Sequence, residues 1–139
     1  MIKAGFRQMK RGITRLRKMC DMKVNYLYLK TRDDFYRLDI SKIVFFEAQG
    51  NYTSFCLCNK QRGMMCISLA RMTELLKQSL GDKAARFARV GKRFIINVNY
   101  VYHINMLKRH LILSDGERFA YQLPVSAEAL KLLRDLFVS

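Results

Sequence analysis

Ile43-Val44-Phe45-Phe46-Glu47-Ala48-Gln49-Gly50-Asn51-Tyr52-Thr53 is the stretch on which the fold turns. It opens with two β-branched and two aromatic residues, breaks at Gly50-Asn51, and passes into a second apolar run from Thr53 to Cys58. β-Branched and aromatic side chains favour the pleated strand, and Gly and Asn tolerate the backbone of a turn. The stretch therefore predicts strand, break, strand.

The same texture extends in both directions. It predicts strands at Tyr26 to Thr31, Phe35 to Asp39, Ile43 to Gln49, Thr53 to Cys58, Met64 to Ile67, Phe87 to Val90, Phe94 to Ile96, Tyr100 to Ile104, Leu111 to Leu113 and Arg118 to Tyr121. Asp115-Gly116 reads as a two-residue hairpin turn, because both residues tolerate positive φ. Two helices interrupt the pattern. Ser68 is placed to cap the first, whose Leu69, Met72, Leu75, Leu76 and Leu80 recur at helical spacing until Gly81 stops it. The second runs from Ser126 to Phe137 with Leu130, Leu133 and Leu136 on one face, just after Pro124.

Composition bounds the function. A chain of 139 residues is about one domain, and its 50% apolar content with a single Pro permits a packed core. The formal charge of +15 favours a polyanionic partner through counterion release, whether DNA, RNA or an anionic membrane. Cys20, Cys56, Cys58 and Cys66 come without a secretory signal, which fits reduced thiols in a cytoplasm. No apolar run approaches the roughly 20 residues that span a bilayer.

Residues 1–22 differ from the rest, carrying seven Lys or Arg against the single acid Asp21. Ile2, Phe6, Met9, Ile13, Leu16 and Cys20 recur in steps of four and three, so this segment reads as a basic amphipathic extension preceding a domain at 23–139. Such a helix docks on the domain, on a partner or on a membrane surface.

Catalysis finds little support. His103 and His110 flank a turn in a stretch with no acid to orient either ring. Cys56 and Cys58 share one face of a strand, with Cys66 expected on a neighbour. A thiolate metal site is one reading, but C-x-C inside an apolar strand suits small buried hydrophobes better than zinc. No Gly-rich nucleotide loop is present. No enzyme activity, metal or cofactor is expected.

The strongest charge signal lies between Lys83 and His110, which contains seven Lys or Arg and no acid. Arg89, Lys92 and Arg93 bracket Gly91 between two apolar runs, so the chain is expected to turn there and present cations from a loop tip. Such a tip binds phosphates. Arg and Lys also read guanine edges in the major groove, with Asn97 and Asn99 nearby as amides.

Taken in order, the Ile43 to Thr53 block, Ser68-Leu69 opening a helix, Phe87-Ala88-Arg89-Val90-Gly91-Lys92-Arg93-Phe94-Ile95-Ile96-Asn97, and Pro124-Val125-Ser126 resemble the LytTR family of bacterial DNA-binding output domains. The resemblance covers about residues 24 to 138. It implies a mainly β, elongated fold of about ten short strands in small sheets, with one internal helix and a C-terminal helix. It also implies sequence-specific binding of double-stranded DNA through loops inserted in successive major grooves, with bending of the site. Matched residue by residue, the implied contacts are Asn51, Tyr52 and Thr53, then Gly91, Lys92 and Arg93, then Ser126 and Ala127, with Arg89 and Asn97 at common family positions.

Three positions depart from the family pattern. Gly91 stands where many members have His, Ala127 where many have Arg, and Arg93 where Ser is common. The first lets backbone approach DNA closely, the second removes a base contact, and the third adds a charge. Residues 1–22 are too few for the receiver domain that often precedes this family, so a stand-alone transcription regulator is expected, with a second copy on paired half-sites. The rival reading is a basic interaction or membrane-surface protein acting through the N-terminal helix.

Overall fold

The computed structural model describes residues 25–138. The amphipathic segment expected at 1–22 lies outside these residues. Within them the strands are β1 (Tyr26–Lys30), β2 (Phe35–Asp39), β3 (Ile43–Gln49), β4 (Tyr52–Leu57) and β5 (Arg62–Met65) before helix α1 (Leu69–Leu80). After it come β6 (Phe87–Val90), β7 (Phe94–Asn97), β8 (Val101–Asn105), β9 (His110–Ser114), β10 (Ala120–Pro124) and helix α2 (Ala127–Phe137). The described residues are mainly β with one internal and one C-terminal helix, as their sequence predicts.

A five-stranded antiparallel sheet in the order β5-β4-β3-β7-β6 forms the centre. Its inner strands β3 and β7 are apolar on both faces because both are covered, which is why they read as unbroken hydrophobic runs rather than alternating ones. Ile43, Phe46, Phe55 and Ile95 face a core shared with α1 and the β1-β2 ribbon. Val44, Phe45, Phe94 and Ile96 face a second core closed by α2 and the three-stranded sheet β10-β9-β8. Val44 and Phe45 are adjacent yet share this core, because the β3–β4 register shifts between Ile43 and Phe45 and the bulge turns two successive side chains the same way.

Gly63 is fixed by packing. It lies opposite Phe55 in the β4–β5 pair, and a Cβ there would sit 2.1 Å from the Phe55 ring. That ring is 2% exposed and meets Tyr36 edge-on, with centroids 5.0 Å apart. Gly63→Ala is expected to destabilise the protein by about 1–3 kcal/mol, read by chemical denaturation, since overpacking forces the ring from its seat. A variant as stable as the parent would show that the ring yields freely.

Two sequence expectations are corrected. β5 lies earlier than expected, at Arg62–Met65, because pairing of Thr53 with Met65 ends the ladder there. Cys66 and Ile67 instead turn toward α1, where the Thr53 hydroxyl donates to the Ile67 carbonyl at 2.8 Å. The Asp115-Gly116 pair does not form a two-residue hairpin, since β10 begins only at Ala120. The Asp115 carboxylate accepts the backbone N–H of Glu117 at 2.9 Å and of Arg118 at 2.8 Å, which widens the turn. Local side-chain capture of this kind competes with ladder pairing. Pro124, which lacks an N–H, closes β10 at the edge of its sheet.

These N–H bonds hold the Asp115 carboxyl down at about 2, below an unfolded value of about 3.9. A depressed carboxylate stabilises the fold above the unfolded pKa and loses that contribution as pH falls toward the folded one. The stability advantage of the parent over Asp115→Ala is therefore expected to be constant above about pH 5 and to vanish between about pH 4 and 2. An advantage that persisted at pH 2 would mean that the ionised carboxylate does not hold the turn.

Candidate nucleic-acid interface

Antiparallel pairing brings the expected contact segments to one end of the central sheet. β3 ends where β7 begins: Glu47 pairs with Phe94, and the Ala48 N–H donates to the Arg93 carbonyl at 2.8 Å. The β3–β4 and β6–β7 turns therefore stand side by side. In the first, Gln49 pairs with Tyr52 around Gly50 at φ +61°, the positive first turn position that glycine adopts without steric cost. Asn51 and Tyr52 are exposed there. Thr53 is not: it is fully buried, and its hydroxyl braces the approach to α1.

The β6–β7 turn is built by its own arginines. Gly91 at φ +64° lets the chain reverse between Val90 and Phe94, which pair across it. Arg89 donates through Nη2 to the Lys92 carbonyl at 3.1 Å, so its guanidinium braces the turn from within. Arg93 donates through Nη2 to Glu47 Oε2 at 2.7 Å, and Arg62 reaches across β4 to within 3.5 Å of Oε1 of the same carboxylate. One Glu47 thus holds two guanidiniums, and the net charge of the trio is +1. Lys92 is exposed and makes none of the ion pairs formed among the described residues.

The start of α2 completes the surface. Ser126 accepts the Ala129 N–H at 3.3 Å through its hydroxyl oxygen, as an N-cap does, and stays exposed. A Cβ on Gly91 would lie 3.9 Å from Ala129, so the turn rests against the first turn of this helix. Between them opens a cleft of about 700 Å³, lined by residues of the turn, by Pro124 to Ser126, and by Leu132 and Leu136 of α2. Unpaired N–H groups at the helix start favour anions, although Glu128 in the same turn opposes them.

Asn97 stands apart from this surface. It is fully buried, donates to the Ile43 carbonyl at 2.9 Å and accepts the Asn99 N–H at 3.0 Å. Its amide ties β7 to the start of β3 and faces no solvent. Glu47 is the residue that sequence reasoning missed. It stood inside the quoted block, but nothing nearby in the chain marks Arg62 or Arg93 as its partners.

The three cysteines among the described residues differ in burial. Cys56 and Cys58 belong to the core, and burial pushes the Cys56 thiol up to about 11, away from the thiolate that binds metal. Cys66 is exposed beyond the end of β5. Among the described residues no three His, Cys, Asp or Glu side chains are grouped to hold a metal ion.

The family model of the LytTr DNA-binding domain matches residues 33–137. This chain belongs to the LytTR family. Among solved structures it is similar to the LytTr DNA-binding domain of a Bacillus cereus protein described as a methyl-accepting/DNA response regulator. The identity is 25% and the TM-score 0.58, over 81% of this chain and 95% of that one. No curated protein matches the chain. In this LytTR domain, Asn51, Tyr52, Gly91, Lys92, Arg93 and Ser126 reach the surface at one end, where Thr53 braces the sheet from inside, while Asn97 ties the opposite end of the sheet together. No helix among the described residues is long and apolar enough to cross a membrane.

Proposed function

We propose that this LytTR domain binds double-stranded DNA sequence-specifically as part of a bacterial transcription regulator in the cytoplasm, and that it acts by binding alone, without catalysis or a cofactor. The observation that carries this reading is the convergence of the Gly50-Asn51 turn, the Gly91-Lys92-Arg93 turn and the Ser126 cap at one end of the central sheet. Lys92 and the exposed part of Arg93 supply phosphate contacts, and Asn51 and Tyr52 supply the neighbouring groove contact. Gly91 brings bare backbone close to the duplex.

The two turns project side by side from adjacent strands and enter the major groove together, and duplex that bends toward the domain brings more of its backbone against this end. A second copy binds a paired half-site. The regulator domain comprises 23–139, with residues 1–22 as an accessory segment.

The test is selection of bound fragments from random duplexes, followed by competition gel shifts. Selected duplex is expected to compete at least 10³-fold better than random duplex at physiological salt. Equal competition would overturn sequence-specific recognition, and unchanged migration of circularly permuted probes would overturn bending.

A further inference from the structure

The β8–β9 hairpin ends in the tip Met106 to Arg109, closed by the pairing of Asn105 with His110. Leu107 at its crown is 91% exposed, and the exposed Lys108 and Arg109 beside it make none of the ion pairs formed among the described residues. This tip is held in place. Asn105 accepts the Lys108 N–H at 2.9 Å through its side-chain oxygen, Arg109 adopts φ +56°, and the Arg109 carbonyl accepts the Val125 N–H at 3.0 Å. A non-glycine residue at positive φ is costly and persists only where its surroundings impose it.

That last bond fixes where the tip lies. Val125 precedes Ser126, the cap of α2, and the first turn of α2 meets Gly91. Arg109, Ser126 and the Gly91-Lys92-Arg93 turn thus follow one another across a continuous surface. We propose that the β8–β9 tip is a further DNA-contacting element. Lys108 and Arg109 neutralise backbone phosphates beside the duplex segment met by the β6–β7 turn, and Leu107 packs on sugar edges in the groove. The proposal rests on the duplex-binding reading above. A protein partner fits this tip poorly, since a single exposed leucine between cations falls far short of the roughly 800 Å² each side contributes to a stable protein interface.

Two measurements on the full chain test it. Lysine acylation with and without selected duplex is expected to show Lys108 protected as Lys92 is, while Lys60, in the β4–β5 turn at the opposite end of the sheet, stays reactive. In the double variant Lys108→Gln and Arg109→Gln, the slope of log affinity against log salt is expected to fall by about 1.8, from about 0.9 per phosphate contact. Unprotected Lys108 together with an unchanged slope overturns the proposal while the domain still binds DNA. Protection of Lys108 that rises with protein concentration in the absence of duplex also overturns it, because a second copy then covers the tip. Failure of the wild-type chain to bind any duplex is the failure of the duplex reading itself, and is recognised by the wild-type titration alone.

Discussion

Arg93→Ala is expected to weaken duplex binding by about 5- to 150-fold, about 1–3 kcal/mol, and to do so more severely than Lys92→Ala. The difference comes from Glu47. Arg93 lies 2.7 Å from that carboxylate, with its own side chain 57% exposed, so it covers an acid while presenting a cation. Its removal deletes one positive charge and bares a negative one, held only by Arg62 at 3.5 Å, on the surface proposed to face phosphates. Lys92→Ala removes a cation alone, and the salt slope is expected to drop by about 0.9. Glu47→Gln added to Arg93→Ala is expected to restore part of the lost affinity. Titrations at several salt concentrations measure all three, and a double variant no tighter than Arg93→Ala would remove Glu47 repulsion from the account.

Asn97→Ala is expected to cost about 2–4 kcal/mol of stability while leaving the folded fraction able to bind DNA. The truncation leaves the carbonyl of the fully buried Ile43 without the amide that donates to it, removes the side-chain acceptor of the Asn99 N–H, and opens a gap where the buried Asn97 amide packs. A buried polar group without its partner costs about 1–3 kcal/mol. Asn97→Asp is expected to be worse, because it adds a buried charge with no cation among its hydrogen-bond partners. Denaturant unfolding and binding of the refolded variant separate the two effects. A stable Asn97→Ala protein that no longer bound DNA would return this residue to the interface.

What the sequence made legible is what local chemistry decides. The Ile43 to Gln49 strand, the Gly50-Asn51 break, both serine caps and the reversal at Gly91 follow from residues within a few positions of one another, and the structure has them all. The side chains whose surroundings come from distant parts of the chain were not legible. Thr53, at the head of a predicted strand, and Asn97, at the end of another, read as polar residues open to DNA until β5 and the start of β3 close over them. Arg93 reads as a free cation until the β3–β7 pairing delivers Glu47 to it. The turn after β9 was misjudged for a related reason: Asp115 and Gly116 have the residue types of a tight hairpin, but the Asp115 side chain outcompetes it by capturing the next N–H groups.

The bulge between Ile43 and Phe45 lets a single strand feed two cores, and this governs how the molecule comes apart. The wall formed by β3 and β7 belongs to both, so neither core can be opened by peeling away an independent half. Loss of α1 or α2 strips one side, but the shared wall gives way only when both sides have gone. The amides of Phe45, Phe46, Ile95 and Ile96 are therefore expected to exchange with deuterium at one common rate, that of global unfolding, while those of the β1-β2 ribbon exchange earlier through local opening. The end proposed to meet DNA is mounted on the last part of the protein to lose its order.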